Sequence, residues 1–251
     1  MAGRPSRPRS SPGCHGSAMK TMRRVLFVVV MCVAACVGAW VALLYLLGWA
    51  RGTAVAIGAA LAAVGSYVLA IGPWQRRWGA TDEEFVGPMP GDDLLRPDAP
   101  RTTRAITIDA PPERVWPWLL QIGYGRGGWY SYDWLDNDGK PSVDRIDPEL
   151  QRLAVGDRIV MIPGMGPVVR EIAPNDHLLS AGETDTWCLQ LRPTPDGRTR
   201  LISRWRQDWP KGPATFVWTL ISDPGAFLME RKMLLTLRKR AGSTSTPAAA
   251  A

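Results

Sequence analysis

The residues best suited to chemistry lie close together. Asp133 stands among Tyr130, Tyr132 and Trp134, with Arg126 seven residues upstream. A carboxyl, two phenols and a guanidinium on one short segment can orient a bound molecule and move a proton to or from it. The same side chains serve equally well to cap a turn and pack a loop. Arg126, Tyr130, Tyr132 and Asp133 are therefore the catalytic candidates, with that structural alternative open beside them. His177 is the other titrating group of interest; it adjoins the turn Pro174-Asn175-Asp176 and is expected to be exposed. Of the four cysteines, Cys14, Cys32 and Cys36 lie near the N-terminus and Cys188 stands alone, which gives neither a disulfide framework nor metal-ligand spacing. No metal site and no cofactor are expected.

Gly123-Tyr-Gly125-Arg-Gly-Gly128 matches the spacing of a dinucleotide-binding loop. Such a loop follows a strand and opens a helix. Here the glycines follow a helical pattern, and Trp129-Tyr-Ser-Tyr-Asp-Trp134 comes next, so the match is set aside.

The elements that must hold these residues can be read from periodicity. Residues 104–108 alternate like a half-buried strand, and Pro111-Pro112 then suits a helix start. Val115, Trp118, Leu119 and Ile122 share one helical face, with Pro117 expected to kink that helix. Strand-like runs follow at 158–162, 167–172, 177–181, 186–191 and 199–207, separated by Pro- and Gly-containing turns. Pro195-Asp196-Gly197 links the last two as a hairpin. A helix over 226–240 closes the domain, with Met229, Met233 and Leu237 on one side and basic residues in its last turn. An antiparallel sheet with helices on one face is an α+β fold, and a curved sheet around a long helix tends to leave an apolar pocket between them.

Parity assigns the lining of that pocket. Trp187, Leu189, Leu201 and Trp205 fall on inward positions; Arg198, Arg200, Arg204 and Arg206 fall outward and are expected to be solvated. Trp129, Met229 and Met233 complete the ligand-binding set. The alternative is a filled core at the same positions.

Charge is distributed unevenly. Nine of the 30 basic residues lie in residues 1–77, which hold no Asp or Glu, and the other 21 face all 23 acids. The net charge of +7 thus brackets apolar runs and makes no basic stripe on a folded surface, so no nucleic-acid partner is expected. Residues 25–48 are 24 without a charge and residues 52–74 a further 23. About 20 apolar residues cross a bilayer, so the two runs predict a transmembrane hairpin over 23–77. The first run exceeds a signal-peptide core and is expected to stay uncleaved. Ala54, Gly58, Ala62 and Ser66 form either a close-packing helix face or merely Ala-rich membrane sequence. Lys20, Arg23, Arg24, Arg76 and Arg77 flank the hairpin on one side and only Arg51 lies in its loop, which places both termini in the cytoplasm and the chain in the cell membrane. Around the hairpin, residues 1–22 are expected as a disordered basic tail, 78–101 as a linker, 102–241 as the folded domain and 242–251 as a second tail. Met1, Met19 and Met22 all remain possible starts.

The string from Gln121 to Asn137, together with Ala110-Pro-Pro-Glu-Arg-Val-Trp116, Gly197-Arg-Thr-Arg-Leu-Ile202 and Met229-Glu-Arg-Lys-Met-Leu234, resembles the START-like superfamily, also called SRPBCC, of polyketide cyclase/dehydrase and lipid-transport proteins. The resemblance covers roughly residues 80–241 and implies a helix-grip fold with a cavity for an apolar ligand. It implies no particular reaction, since one fold hosts many functions. The hairpin is not part of the general family pattern. Three functions are consistent with the sequence: a membrane-anchored cytoplasmic module binding a lipid or other hydrophobic small molecule, a cyclase- or dehydratase-like enzyme acting on a polyketide or isoprenoid-like ligand, and a structural domain with a filled core.

Overall fold

The computed structural model describes residues 14–162, 164–210 and 212–243. Of the expected tails, 1–13 and 244–251 fall outside the described residues; 14–22 begin a helix instead of a tail. That helix, α1 (Cys14–Leu47), runs into the first apolar run, and extending an existing helix costs far less than nucleating one. Gly48, at a φ of 78° that favours glycine, turns the chain into α2 (Trp49–Ser66). A π-helical turn, Tyr67–Ile71, carries α2 into α3 (Gly72–Arg76). The two helical stretches Val30–Leu47 and Trp49–Arg76 are long and apolar enough to cross a membrane. They touch at Gly52, where an added Cβ would lie 2.6 Å from the Leu43 carbonyl oxygen. Ala54, Gly58, Ala62 and Ser66 all face outward, so that stripe is not the contact within the hairpin.

Five strands form one fully antiparallel sheet in the order β1-β5-β4-β3-β2. They are β1 (Arg101–Ile108), β2 (Val168–Ala173), β3 (His177–Ala181), β4 (Asp185–Pro193) and β5 (Thr199–Gln207). The run at 158–162 makes only single bridges, Arg158 to Val168 and Ile162 to Met165, and is not a sixth strand. Gly164 and Gly166, both at positive φ, bend it too tightly for a ladder. The concave face buries Ile106, Ile108, Leu178, Leu189, Leu191 and Leu201 against α5 (Pro112–Leu120) and α7 (Pro213–Ser243). Val115, Trp118, Leu119 and Ile122 are all at most 1% exposed, so the helical face read from the sequence is the buried one.

Helix α7 and the stretch before β1 also differ from expectation. Helix α7 starts 13 residues before the expected 226 and passes straight through Pro224. Its first half is held from outside: Arg76 pairs with Asp223 at 3.3 Å, and the Phe227 ring lies edge-on to Trp74 with centroids 5.3 Å apart. The second difference is the stretch 78–101, expected as a linker. It contains α4 (Asp82–Val86), capped by a Thr81–Glu84 box, and lies across the convex sheet face. Met89 and Ala80 pack there with Ala105, Leu179, Cys188 and Ile202.

Three of the four outward arginines, Arg200, Arg204 and Arg206, hold this strap and are not solvated, whereas Arg198 is exposed as expected and pairs with Asp196. Arg204, only 2% exposed, donates to Asp92 at 2.6 Å, to the Glu84, Phe85 and Gly87 carbonyls at 2.6, 3.1 and 2.8 Å, and to Thr103 at 3.0 Å. Burial pulls its guanidinium below the usual arginine range, and Asp92 opposes that shift. Arg206 donates to the Asp92, Arg96 and Pro97 carbonyls, and Arg200 grips Glu84 with two 2.7 Å bonds. A guanidinium fork can satisfy several carbonyls at once, which explains a buried arginine row beneath a strap short of regular structure.

Candidate ligand-binding cleft

The glycine-aromatic string forms a closed loop between α5 and a short helix, α6 (Asp133–Asp136). Gly123 and Gly128 exchange backbone hydrogen bonds of 3.1 Å in both directions. Both have positive φ, and a Cβ on Gly128 would collide with Ser142. The glycines thus serve chain reversal and close packing.

Three of the four catalytic candidates, Arg126, Tyr130 and Asp133, are engaged in holding this loop. Tyr130, 1% exposed and itself at a φ of 57°, donates its phenol to the Trp118 carbonyl at 3.3 Å, and burial pushes the phenol up to about 12. Asp133 accepts from the Ser142 backbone and hydroxyl at 3.0 and 2.5 Å, which is the capping role. Arg126 donates to the Leu120 and Leu150 carbonyls at 3.0 and 2.7 Å. Tyr132 stands before α6, partly in solvent. Sequence reasoning passed over Asp136, which is buried, with its carboxyl raised first by desolvation and then by Asp133. His177 is buried as well, contrary to expectation: its Nδ1 lies 2.7 Å from Asp176 and its Nε2 3.3 Å from Glu171. It begins β3, so the sheet and its two carboxylate neighbours enclose it.

The inward parity holds. Trp129, Trp187 and Trp205 run in a tilted row across the concave face, with successive centroids 5.8 and 5.7 Å apart. The Trp187 indole donates to Ser203 at 3.0 Å. Trp187, Leu189, Leu201 and Met233 are packed core, each at most 4% exposed. Met229 is half-buried and takes part through its carbonyl, which accepts from Ser131 at 3.0 Å.

A sheet curled around a long C-terminal helix, with a helix-loop insertion after its first strand, decides the architecture. This is a helix-grip fold. No family model matches the chain, and no curated protein matches it. Among solved structures it is similar to a protein from Staphylococcus saprophyticus, with 12% identity over 60% of this chain and 98% of that one and a TM-score of 0.39. A Polyketide_cyc-like protein from Corynebacterium glutamicum shares 18% identity over 57% of this chain and 92% of its own, at a TM-score of 0.33. The Aha1 dimer from Colwellia psychrerythraea shares 18% over 56% and 98%, at 0.30.

In this helix-grip domain the open space lies at one end of the tryptophan row. A cleft of about 580 Å³ opens between β5, the strap and the first half of α7. Trp205, Trp209, Phe216 and Phe85 supply its aromatic walls, and Arg101, Thr219 and Asp223 its polar ones. Of the expected ligand-binding residues, Trp205 is the one that lines it. Its indole nitrogen and the Thr102 hydroxyl, both on lining residues, are buried and find no hydrogen-bond partner among the described residues. Each is a polar group whose desolvation is uncompensated. A second cavity, of about 440 Å³, lies on the convex side between the strap and strands β2 and β3, and Arg170, Glu171, Asp93 and Glu183 make its lining charged.

Trp209 and Phe216 were missed because Trp209-Pro-Lys-Gly-Pro213 reads as a break between elements. The usable signal was the charge-free stretch 212–222, which is too apolar for a solvated turn.

Proposed function

We propose that this chain is a membrane-anchored module that holds a lipid or other hydrophobic small molecule in the cleft between β5, the strap and α7. The observation that carries the reading is the cleft itself: about 580 Å³, walled by Trp205, Trp209 and Phe216, beside the end of the second apolar helix at Arg76. Ligand sites are typically 300–1,000 Å³, with apolar walls and a few polar groups that fix orientation. Arg101, Thr219 and Asp223 supply the few polar groups of the lining. The enzyme reading loses ground, since Arg126, Tyr130 and Asp133 are spent on holding the loop.

A photoreactive fatty-acid analogue tests the reading on the full chain in nanodiscs. Adducts are expected on peptides carrying Trp205, Trp209 or Phe216, and Thr219→Trp, which fills the cleft, is expected to remove them. Labelling confined to α1 and α2, or indifferent to Thr219→Trp, would refute it.

A further inference from the structure

Helix α7 is divided along its length. Its first 17 residues, 213–229, contain one charged residue, Asp223, whereas 230–240 contain six. Asp223 is turned inward onto Arg76. Thr219, Asp223 and Phe227 recur every four residues and face the cleft and α3. Val217, Ile221 and Leu228 fall on the opposite face with Trp218 beside them, and all four are more than half exposed. An apolar helix face of this size in open water signals a partner.

The occupant follows from what fixes the helix in place. Asp223 and Phe227 clamp α7 to Arg76 and Trp74, the last turn of the apolar stretch Trp49–Arg76. Trp74 is itself 54% exposed, as suits a ring at a membrane–water boundary. Val217 and Ile221 lie within about 9 Å of Asp223 along the helix axis. Their face therefore sits at the level where the apolar stretch ends, and exposed Arg231 and Lys232 follow where α7 leaves that level. An apolar face bounded by basic residues is the pattern of a helix lying in the bilayer interface.

We infer that residues 213–228 of α7 lie in the membrane interface, with Val217, Trp218, Ile221 and Leu228 inserted among the lipids. The inference rests on the reading that α1 and α2–α3 span the bilayer. Because the other face of the same segment lines the cleft, this helix forms the wall between the cleft and the bilayer.

A photo-crosslinking residue placed in turn at Ile221, at Leu61 in α2 and at exposed Val155 of the sheet domain tests this in the full chain. The protein is reconstituted in nanodiscs of phosphatidylcholine and phosphatidylglycerol, and adducts are weighed by mass spectrometry. Position 221 is expected to give lipid adducts at several times the yield of position 155 and within a few-fold of position 61. Lipid adducts at 61 but only background at 221 would overturn the interfacial helix and leave the anchoring intact. Crosslinks from 221 to a second copy of the chain would overturn it in favour of a dimer face. Background yield at 61 as well would mean that the anchoring itself is wrong, and the inference would fall with it.

Discussion

Arg104, on the concave face of β1, is ion-paired with Glu230 of α7, and the two side chains are only 3% and 15% exposed. The Arg104 Nε also donates to the Gln75 carbonyl at 2.9 Å, at the last turn of the apolar stretch. One guanidinium thus joins the sheet, the closing helix and the end of the apolar hairpin. Removing one partner of a buried pair strands the other charge and costs about 3–5 kcal/mol. Arg104→Ala is expected to lower the melting temperature of the full chain in detergent well beyond the effect of an exposed change such as Arg152→Ala. A chain cut at residue 79 loses the Gln75 acceptor and should melt lower than one cut before α3. Equal melting of all these forms would show that the junction carries no stability.

The strap depends on Arg204. Lysine keeps the charge but cannot reach the Glu84, Phe85 and Gly87 carbonyls together with Asp92. Arg204→Lys is expected to raise hydrogen exchange across residues 82–97 while β4 and α7 stay protected. Unchanged exchange in that segment would mean the strap is held by its apolar contacts alone.

Alkaline pH should weaken the domain through Tyr130. Burial raises its phenol to about 12, above the 10.0 of an unfolded chain. Between those values the unfolded state has lost the proton that the folded state keeps. The stabilisation is therefore complete below pH 10 and is lost as pH rises through 12. Cys188, raised by burial to about 12, acts in the same direction from a lower starting point. In Tyr130→Phe the fall in melting temperature between pH 9 and 11 is expected to be shallower than in the parent chain. An identical slope would contradict the burial of that phenol.

Local rules made part of this molecule legible. The bounds of β3 and β5 follow from alternation and from turn residues such as Asn175 and Gly197, both at positive φ. Trp187, Leu189 and Leu201 face inward because a strand leaves only two sides to choose from. Parity does not say whether the inward side is filled, and here it is packed tightly everywhere except at Trp205. The strap was hidden because prolines and acids at 82–100 read as a linker. Their partners, Arg200, Arg204 and Arg206, lie more than a hundred residues away. Helix α7 was truncated for a similar reason: the local cost of Pro224 is visible in sequence, and the clamp from Arg76 and Trp74 is not.

Native mass spectrometry of the full chain, released from nanodiscs made directly from its host membranes, addresses ligand holding most directly. The parent chain is expected to carry one apolar molecule of defined mass that survives lipid stripping, and Thr219→Trp, with its cleft filled, is expected to emerge without it. A parent chain that emerges bare under conditions where the folded domain persists, or an adduct that Thr219→Trp retains in full, would contradict the assignment of the cleft as a ligand site.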